Sequence, residues 1–377
     1  MERDGQGSAQ RMLPGQPPAA APRPFALLIG LQRKVGRRPE SPSPSATLVH
    51  TVASTSEGDL RLKTGRRFRE RAIEVFLFLN GSAAVLIIAL IFVFLFREGF
   101  AAFQEISPRQ FIGGDEIRSV YNPATDTFAE HRQFATVWQP VSNEPKYSLI
   151  PLINGSLLVA LPATLISTLL GVMAGVYLAE LAHARVREVV KPAIELLAGI
   201  PTVIIGFIML SVVSSILQGI TGSHFRLNAA VGALGVSIVI IPVVASLTED
   251  ALRSVPDSLR QASYGMGATR WQTVSRVVVP AAVSGITAAA ILGFGRALGE
   301  TMIVLMATGN AALVTGNIFS SVRTMTATIA AELGATARDG DQYHALFLVG
   351  AVLFTITFVF NLIAEIIVSR MRRRLRL

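Results

Sequence analysis

The chain has 377 residues, 51% of them hydrophobic and only 16% charged, whereas a soluble domain of this size carries nearer a quarter charged residues. It has no cysteine, which excludes a disulfide framework, a thiolate metal site and a cysteine nucleophile. The net charge of +9 raises nucleic acid as a partner, but the placement of the charge, given below, argues against it.

Residues 1–71 are rich in Pro, Gly, Ser, Arg and Ala and show no sustained helical or strand period. Such a stretch buries too little apolar area to offset its ordering entropy, so a disordered, basic cytoplasmic tail is expected. Its last part, from Arg61 to Arg71, abuts the first long apolar run. It reads either as a contact for anionic lipid headgroups or as a topology anchor. The short apolar run 25–31 cannot span a bilayer, so the first span is expected to act as the targeting signal.

From 72 to 377 the apolar residues gather into six runs. Each reaches the roughly 20 helical residues needed to cross a hydrocarbon core of about 30 Å. The predicted spans are 73–96, 152–179, 192–217, 227–247, 281–307 and 345–368, with Gly199, Ile200 and Pro201 kinking the third. An all-α integral membrane protein follows. The outer loop 97–150 contains Asn122-Pro123 and Gln139-Pro140 steps and several aromatics, and is expected to be irregular but partly packed.

Basic residues fix the predicted orientation. With the N-terminus inside, 25 of the 34 Lys and Arg fall on the cytoplasmic side and 8 outside, while Arg296 lies within a span. This is the positive-inside pattern with both termini cytoplasmic, and it accounts for the high charge without nucleic acid.

The loop 249–280 between the fourth and fifth spans is the most informative segment. Pro256 and Asp257 mark a helix start, Gly265 and Gly267 break that helix, and a second amphipathic helix leads into Pro280. On these residues alone the segment reads as a knob offered to a soluble partner or as a helix resting on lipid. The spacing of Gln261-Ala262-Ser263, Gly267, Val277, Val279 and Pro280 resembles the cytoplasmic motif of ABC importer permeases. That motif runs Glu-Ala-Ala, three residues, Gly, nine residues, Ile-x-Leu-Pro. The departures are Gln for Glu, Ser for the second Ala and Val at both aliphatic positions.

Further segments extend the resemblance over roughly 75–370. They are Tyr177-Leu-Ala-Glu-Leu, the stretch from Arg185 to Val203, Gly295-Arg-Ala-Leu-Gly-Glu-Thr-Met302, and Thr308-Gly-Asn310. Together they are similar to the phosphate permease of the PstC type. The resemblance implies the type I ABC importer permease fold with six transmembrane helices, in the bacterial inner membrane. It implies a second, PstA-type permease, a dimer of ATPase subunits and an extracytoplasmic phosphate-binding protein as partners. By the same resemblance Pro256, Leu259, Arg260, Gln261, Ala262, Ser263, Tyr264, Gly265, Gly267, Ala268 and Pro280 form the surface that couples to the ATPase.

Arg296 and Glu300 lie inside the fifth span, where each costs about 2.5–3.5 kcal/mol on insertion scales. At i and i+4 they share a helix face and can pair, and Gly293, Gly295 and Gly299 keep the neighbourhood small. They read as an anion pathway or as a structural ion pair, and the resemblance places them on the phosphate pathway. Glu180, Glu188 and Glu195 read as interfacial or paired rather than as a proton relay.

No Gly-x-x-x-x-Gly-Lys-Ser/Thr loop occurs and no Lys follows a Gly, so ATP hydrolysis is assigned to a partner and the chain itself is not expected to be an enzyme. No metal or cofactor site is expected, the five His being scattered. The rival readings are a permease for another oxyanion such as sulfate or molybdate, an ion-driven secondary transporter, and a membrane enzyme.

Overall fold

A computed structural model describes residues 58–122 and 127–375, with side chains described from 70 to 114 and from 134 to 370. Most of the expected tail lies outside these residues. The chain divides into two units, 1–79 and 80–377. The described part of the first is the beginning of α1 (Gly58–Glu105), so the chain is already helical at Gly58, within the predicted tail.

Six helical stretches among the described residues are long and apolar enough to cross a membrane. They are Glu70–Glu105, Ile150–Leu181, Thr202–Thr221, Ala229–Arg253, Arg270–Gly299 and Asp341–Arg370. They follow the expected order, and two of them differ in extent from the sequence reading. Around the predicted third span, α3 (Ala184–Ala198) is a separate amphipathic helix with no buried residue. Its charged residues Arg185, Arg187, Glu188, Lys191 and Glu195 suit a membrane interface better than hydrocarbon. Pro201, at φ −57° and ψ 128°, then caps α4 (Thr202–Ile208). Gly199-Ile200-Pro201 is thus a break ahead of the span, because proline cannot supply the N–H that would continue α3. A widened π turn (Met209–Val213) joins α4 to α5 (Ser214–Thr221) and completes the crossing.

The core is organised around α6 (Ala229–Arg253). Its apolar window is 67% buried, against 28% or less in every other span. It lies against α2 (Ile150–Val176) at very short range. A Cβ added at Gly171 would sit 2.7 Å from Val244 Cβ, and one at Gly175 would sit 2.7 Å from the Ala245 carbonyl. Between apolar helices in lipid, such close backbone approach supplies the dispersion contact that hydrophobic exclusion does not. The outer end of α6 is capped by Asn228, whose Oδ1 accepts from Val231 N at 3.1 Å while its amide donates to Phe225 O at 2.8 Å; this satisfies an otherwise orphaned N–H.

The outer loop is more regular than expected. Strands β1 (Gly114–Asn122) and β2 (Thr127–Ala135) pair antiparallel, from Gly114 opposite Ala135 to Asn122 opposite Thr127. A second, two-residue pair sets β3 (Trp138–Gln139) against β4 (Lys146–Tyr147). The buried Trp138 indole donates to the Glu332 carboxylate at 3.1 Å, at the end of α11 (Met325–Glu332). Arg323 pairs with the same carboxylate at 2.6 Å, and Gln342 donates to it at 3.0 Å. Glu332 therefore ties the outer loop to α11 and to the start of α12 (Asp341–Leu375).

Candidate functional site: a broken fifth span and an exposed loop helix

The fifth span does not run through to 307. Helix α9 (Val279–Gly299) stops, Glu300 takes an extended conformation at φ −67° and ψ 133°, and the chain restarts as α10 (Met302–Ala307). The Glu300 Oε1 accepts from the backbone N–H groups of Thr301, Met302 and Ile303 at 3.1, 3.2 and 3.4 Å. A carboxylate at this position meets the positive end of the new helix and satisfies donors that hydrocarbon would leave bare. Thr326 on α11 donates to the Glu300 carbonyl at 2.7 Å, fixing the break from the neighbouring element.

The predicted Arg296–Glu300 side-chain pair is consequently not formed. The i, i+4 geometry needs a continuous helix, and the helix ends between the two residues. Arg296 stands exposed in the last turn of α9, and no ion pair to it occurs among the described residues. Its surroundings are open: nothing lies within 4 Å of a Cβ added at Gly299, and the nearest atom to one at Gly295 is Asn361 Oδ1 at 3.5 Å. Gly293 instead faces Ile240 and Val244 of α6. Past α10, Gly309 adopts φ +85°, and a Cβ there would meet Ser321 Oγ at 2.3 Å, so glycine alone fits that turn.

At the other end of the span the predicted coupling residues from Pro256 to Ala268 form helix α7 (Asp257–Gly265) and its following turn, while Pro280 lies apart in the first turn of α9. Pro256 is its N-cap, and Gly267 at φ +83° makes the turn. The next helix, α8 (Arg270–Thr273), begins with a capping box in which Thr269 and Gln272 exchange bonds, a Thr-x-x-Gln signal present in the sequence. Leu259, Gln261, Ala262, Tyr264, Gly265, Gly267 and Pro280 are exposed, as are Met266 and Trp271, while Ala268 is half-buried. Two of the predicted coupling residues are engaged internally. Ser263 is buried and hydrogen-bonded to Thr273 at 2.9 Å. The Arg260 guanidinium binds Glu180 Oε1 at 2.8 Å, Asp257 Oδ1 at 3.0 Å, and the carbonyls of Leu252 and Val255 at 2.8 and 2.6 Å. The Glu180 hydrogen bond, opposed by burial, holds the Arg260 guanidinium above its ordinary range.

A second buried carboxylate lies close by. Glu249, 1% exposed, meets Arg187 at 2.8 Å, Lys191 at 3.3 Å and Arg253 at 3.2 Å, joining α3 to the C-terminal end of α6. These are close ion pairs without well-directed hydrogen bonds. Sequence reasoning did not single out Glu249; the usable signal was a carboxylate four residues ahead of Arg253 at the foot of an apolar helix.

Residues 167–375 match the family of binding-protein-dependent transport system inner membrane components. The chain belongs to that family. Among similar proteins, the probable ABC transporter permease protein YqgH of Bacillus subtilis is 36% identical over 233 residues, covering 62% of this chain and 75% of that one. The phosphate transport system permease protein PstC of Mesorhizobium japonicum is 34% identical over 271 residues, covering 67% and 82%. A PstC 1 of Mycobacterium tuberculosis is 33% identical over 251 residues, covering 60% and 74%. Among solved structures, an inward-facing MetNI methionine ABC transporter chain matches with 19% identity and a TM-score of 0.48, covering 59% of this chain and 95% of that chain. The family match takes in the fifth-span break, α7 and both buried carboxylates of this permease.

Proposed function

We propose that the chain is the membrane permease subunit of an ATP-driven inorganic phosphate importer. The observation that carries this reading is Arg296, a guanidinium with no ion pair among the described residues, on a broken span beside the open positions Gly295 and Gly299. The fork of donors on a guanidinium matches two phosphate oxygens at once. Because Glu300 is satisfied by three backbone amides, it does not compete with an anion for Arg296. Discontinuous helices near the bilayer midplane are a recurring way to build a substrate site in transporters. The PstC proteins among the relatives support phosphate as the anion.

In this reading a second, PstA-type permease completes the pathway, and a phosphate-binding protein delivers the anion from outside. A dimer of ATPase subunits grips the exposed face of α7 from the cytoplasm, and both termini lie on that side. ATP-driven closure of the ATPases moves α7, and the spans alternate between outward and inward access. The chain supplies the path and the grip, and its partner supplies hydrolysis. The alternative substrate is another tetrahedral oxyanion, since the same guanidinium fork binds sulfate or molybdate.

The test is labelled-phosphate uptake into proteoliposomes from which each component is omitted in turn. Uptake that needs this chain, the second permease, the ATPase and the binding protein supports the reading. Uptake that persists without the ATPase points to ion-driven transport and overturns it.

A further inference from the structure

We infer that Glu180 is a positioning residue that transmits movement of the coupling helix to the second span. The inference rests on the importer reading above and adds to it a route for force through this chain. Helix α7 has two unlike sides. Leu259, Tyr264 and Met266 are exposed, at 44%, 46% and 84%. Arg260 and Ser263 face inward and are fully engaged.

The inward attachment converges on one residue. Glu180 sits in a widened π turn (Tyr177–Leu181) that closes the second span. Its side chain is 9% exposed and takes the Arg260 guanidinium of α7. Its backbone carbonyl takes the Arg270 guanidinium from the start of α8. One residue of the second span thus receives donors from both sides of the Gly267 turn. The other Arg260 bonds go to the Leu252 and Val255 carbonyls and to Asp257 Oδ1, so the same guanidinium also caps the end of α6. A loop whose apolar tip is free and whose root is fixed in this way passes a push inward instead of absorbing it.

Chemistry explains why a carboxylate stands at 180. Charge-assisted hydrogen bonds are about twice as strong as neutral ones, and the guanidinium fork fixes direction as well as distance. The pair is shielded from solvent on both sides, at 16% and 9% exposure, so it is screened less than a surface pair. The π turn is itself informative, since single widened turns inside helices cluster at functional sites. In the family motif a Glu stands where this chain has Gln261, which is exposed. Glu180 of the second span supplies a carboxylate to this loop beside the loop's own Asp257.

The experiment uses the reconstituted four-component complex and reads ATP hydrolysed per phosphate transported. Glu180→Gln is expected to assemble in normal stoichiometry and to keep its ATPase rate. Its uptake is expected to fall about tenfold, as the loss of one charge-assisted bond allows, so the ATP cost per phosphate rises. Because the chain has no cysteine, Glu180→Cys with Arg260→Cys can then be joined by a short bis-methanethiosulfonate cross-linker, each thiolate forming a reducible disulfide as methanesulfinate leaves. Joining them should restore the ratio, and reduction should abolish the rescue. Equal loss of ATPase and uptake, an unchanged ratio, or failure of both Glu180→Gln and Glu180→Asp to assemble would each overturn the inference. A wild-type complex that carries a different anion leaves the ratio measurable with that anion. A wild-type complex with no ATP-driven uptake of any anion refutes the importer reading separately.

Discussion

Glu300 turns its carboxylate onto the amides of the next half-helix, and Arg296, one turn earlier, is left exposed with no acidic partner among the described residues. Holding them apart gives each a separate task. Arg296→Leu removes the guanidinium fork and should lower uptake about a hundredfold while assembly is retained, as loss of a bidentate charged contact implies. Glu300→Gln keeps an oxygen for the amides and should cost about 1 kcal/mol in thermal stability. Uptake assays and melting curves on the same purified complexes check both, and normal uptake in Arg296→Leu removes that residue from the pathway.

The coupling face can be watched directly, because the chain has only two tryptophans. Trp138 is 2% exposed in the outer loop and Trp271 is 63% exposed beside α7. Trp138→Phe should fold, at a cost of about 1.5–3 kcal/mol for the lost indole hydrogen bond to the Glu332 carboxylate. Trp271 is then the sole reporter. Its emission should shift to the blue when the ATPase dimer is added. Unchanged emission in a complex that co-purifies would place the docking surface elsewhere.

Glu249→Ala should loosen α3 from the foot of α6. Breaking a fully buried ion pair costs about 3–5 kcal/mol. Here the three cations are 29% to 41% exposed and recover some hydration, so about 1–3 kcal/mol is expected. Arg187→Ala alone should cost less, because Lys191 and Arg253 remain. Hydrogen exchange along 184–198 should rise in Glu249→Ala and stay near wild type in Arg187→Ala. Equal protection in both variants contradicts the assignment of Glu249 as the hub.

Tyr147 gives the outer loop a pH signature. Burial, with smaller contributions from Asp341, Glu105 and Glu332, raises its phenol above 10.0. The folded state therefore holds this proton more tightly than the unfolded chain does. Its contribution is fully present below about pH 10 and is lost as pH climbs through the folded value. Tyr147→Phe should flatten the alkaline limb of the melting-temperature profile and leave it unchanged at neutral pH.

Much of this was legible in the sequence for physical reasons. Span number and order are set by apolar length, and α7 by Pro256 before it and Gly267 after it. The third span was begun too early and the fifth carried too far because apolar runs do not reveal where backbone hydrogen bonding stops. At Pro201 a missing N–H ends the run, and at Glu300 a carboxylate captures the amides that α9 would have used. The inward attachment of Arg260 depends on Glu180, 80 positions away, and local spacing does not encode that contact. The β1–β2 pairing was hidden for the opposite reason, since its strands are polar and lack the strict alternation of a half-buried sheet.

The most direct test of the central claim is competition. Proteoliposomes containing the four components would take up labelled phosphate in the presence of excess sulfate or molybdate. The account predicts ATP-dependent phosphate uptake that neither competitor reduces and that Arg296→Leu lowers about a hundredfold. Uptake displaced by sulfate or molybdate, or insensitive to Arg296→Leu, would contradict it.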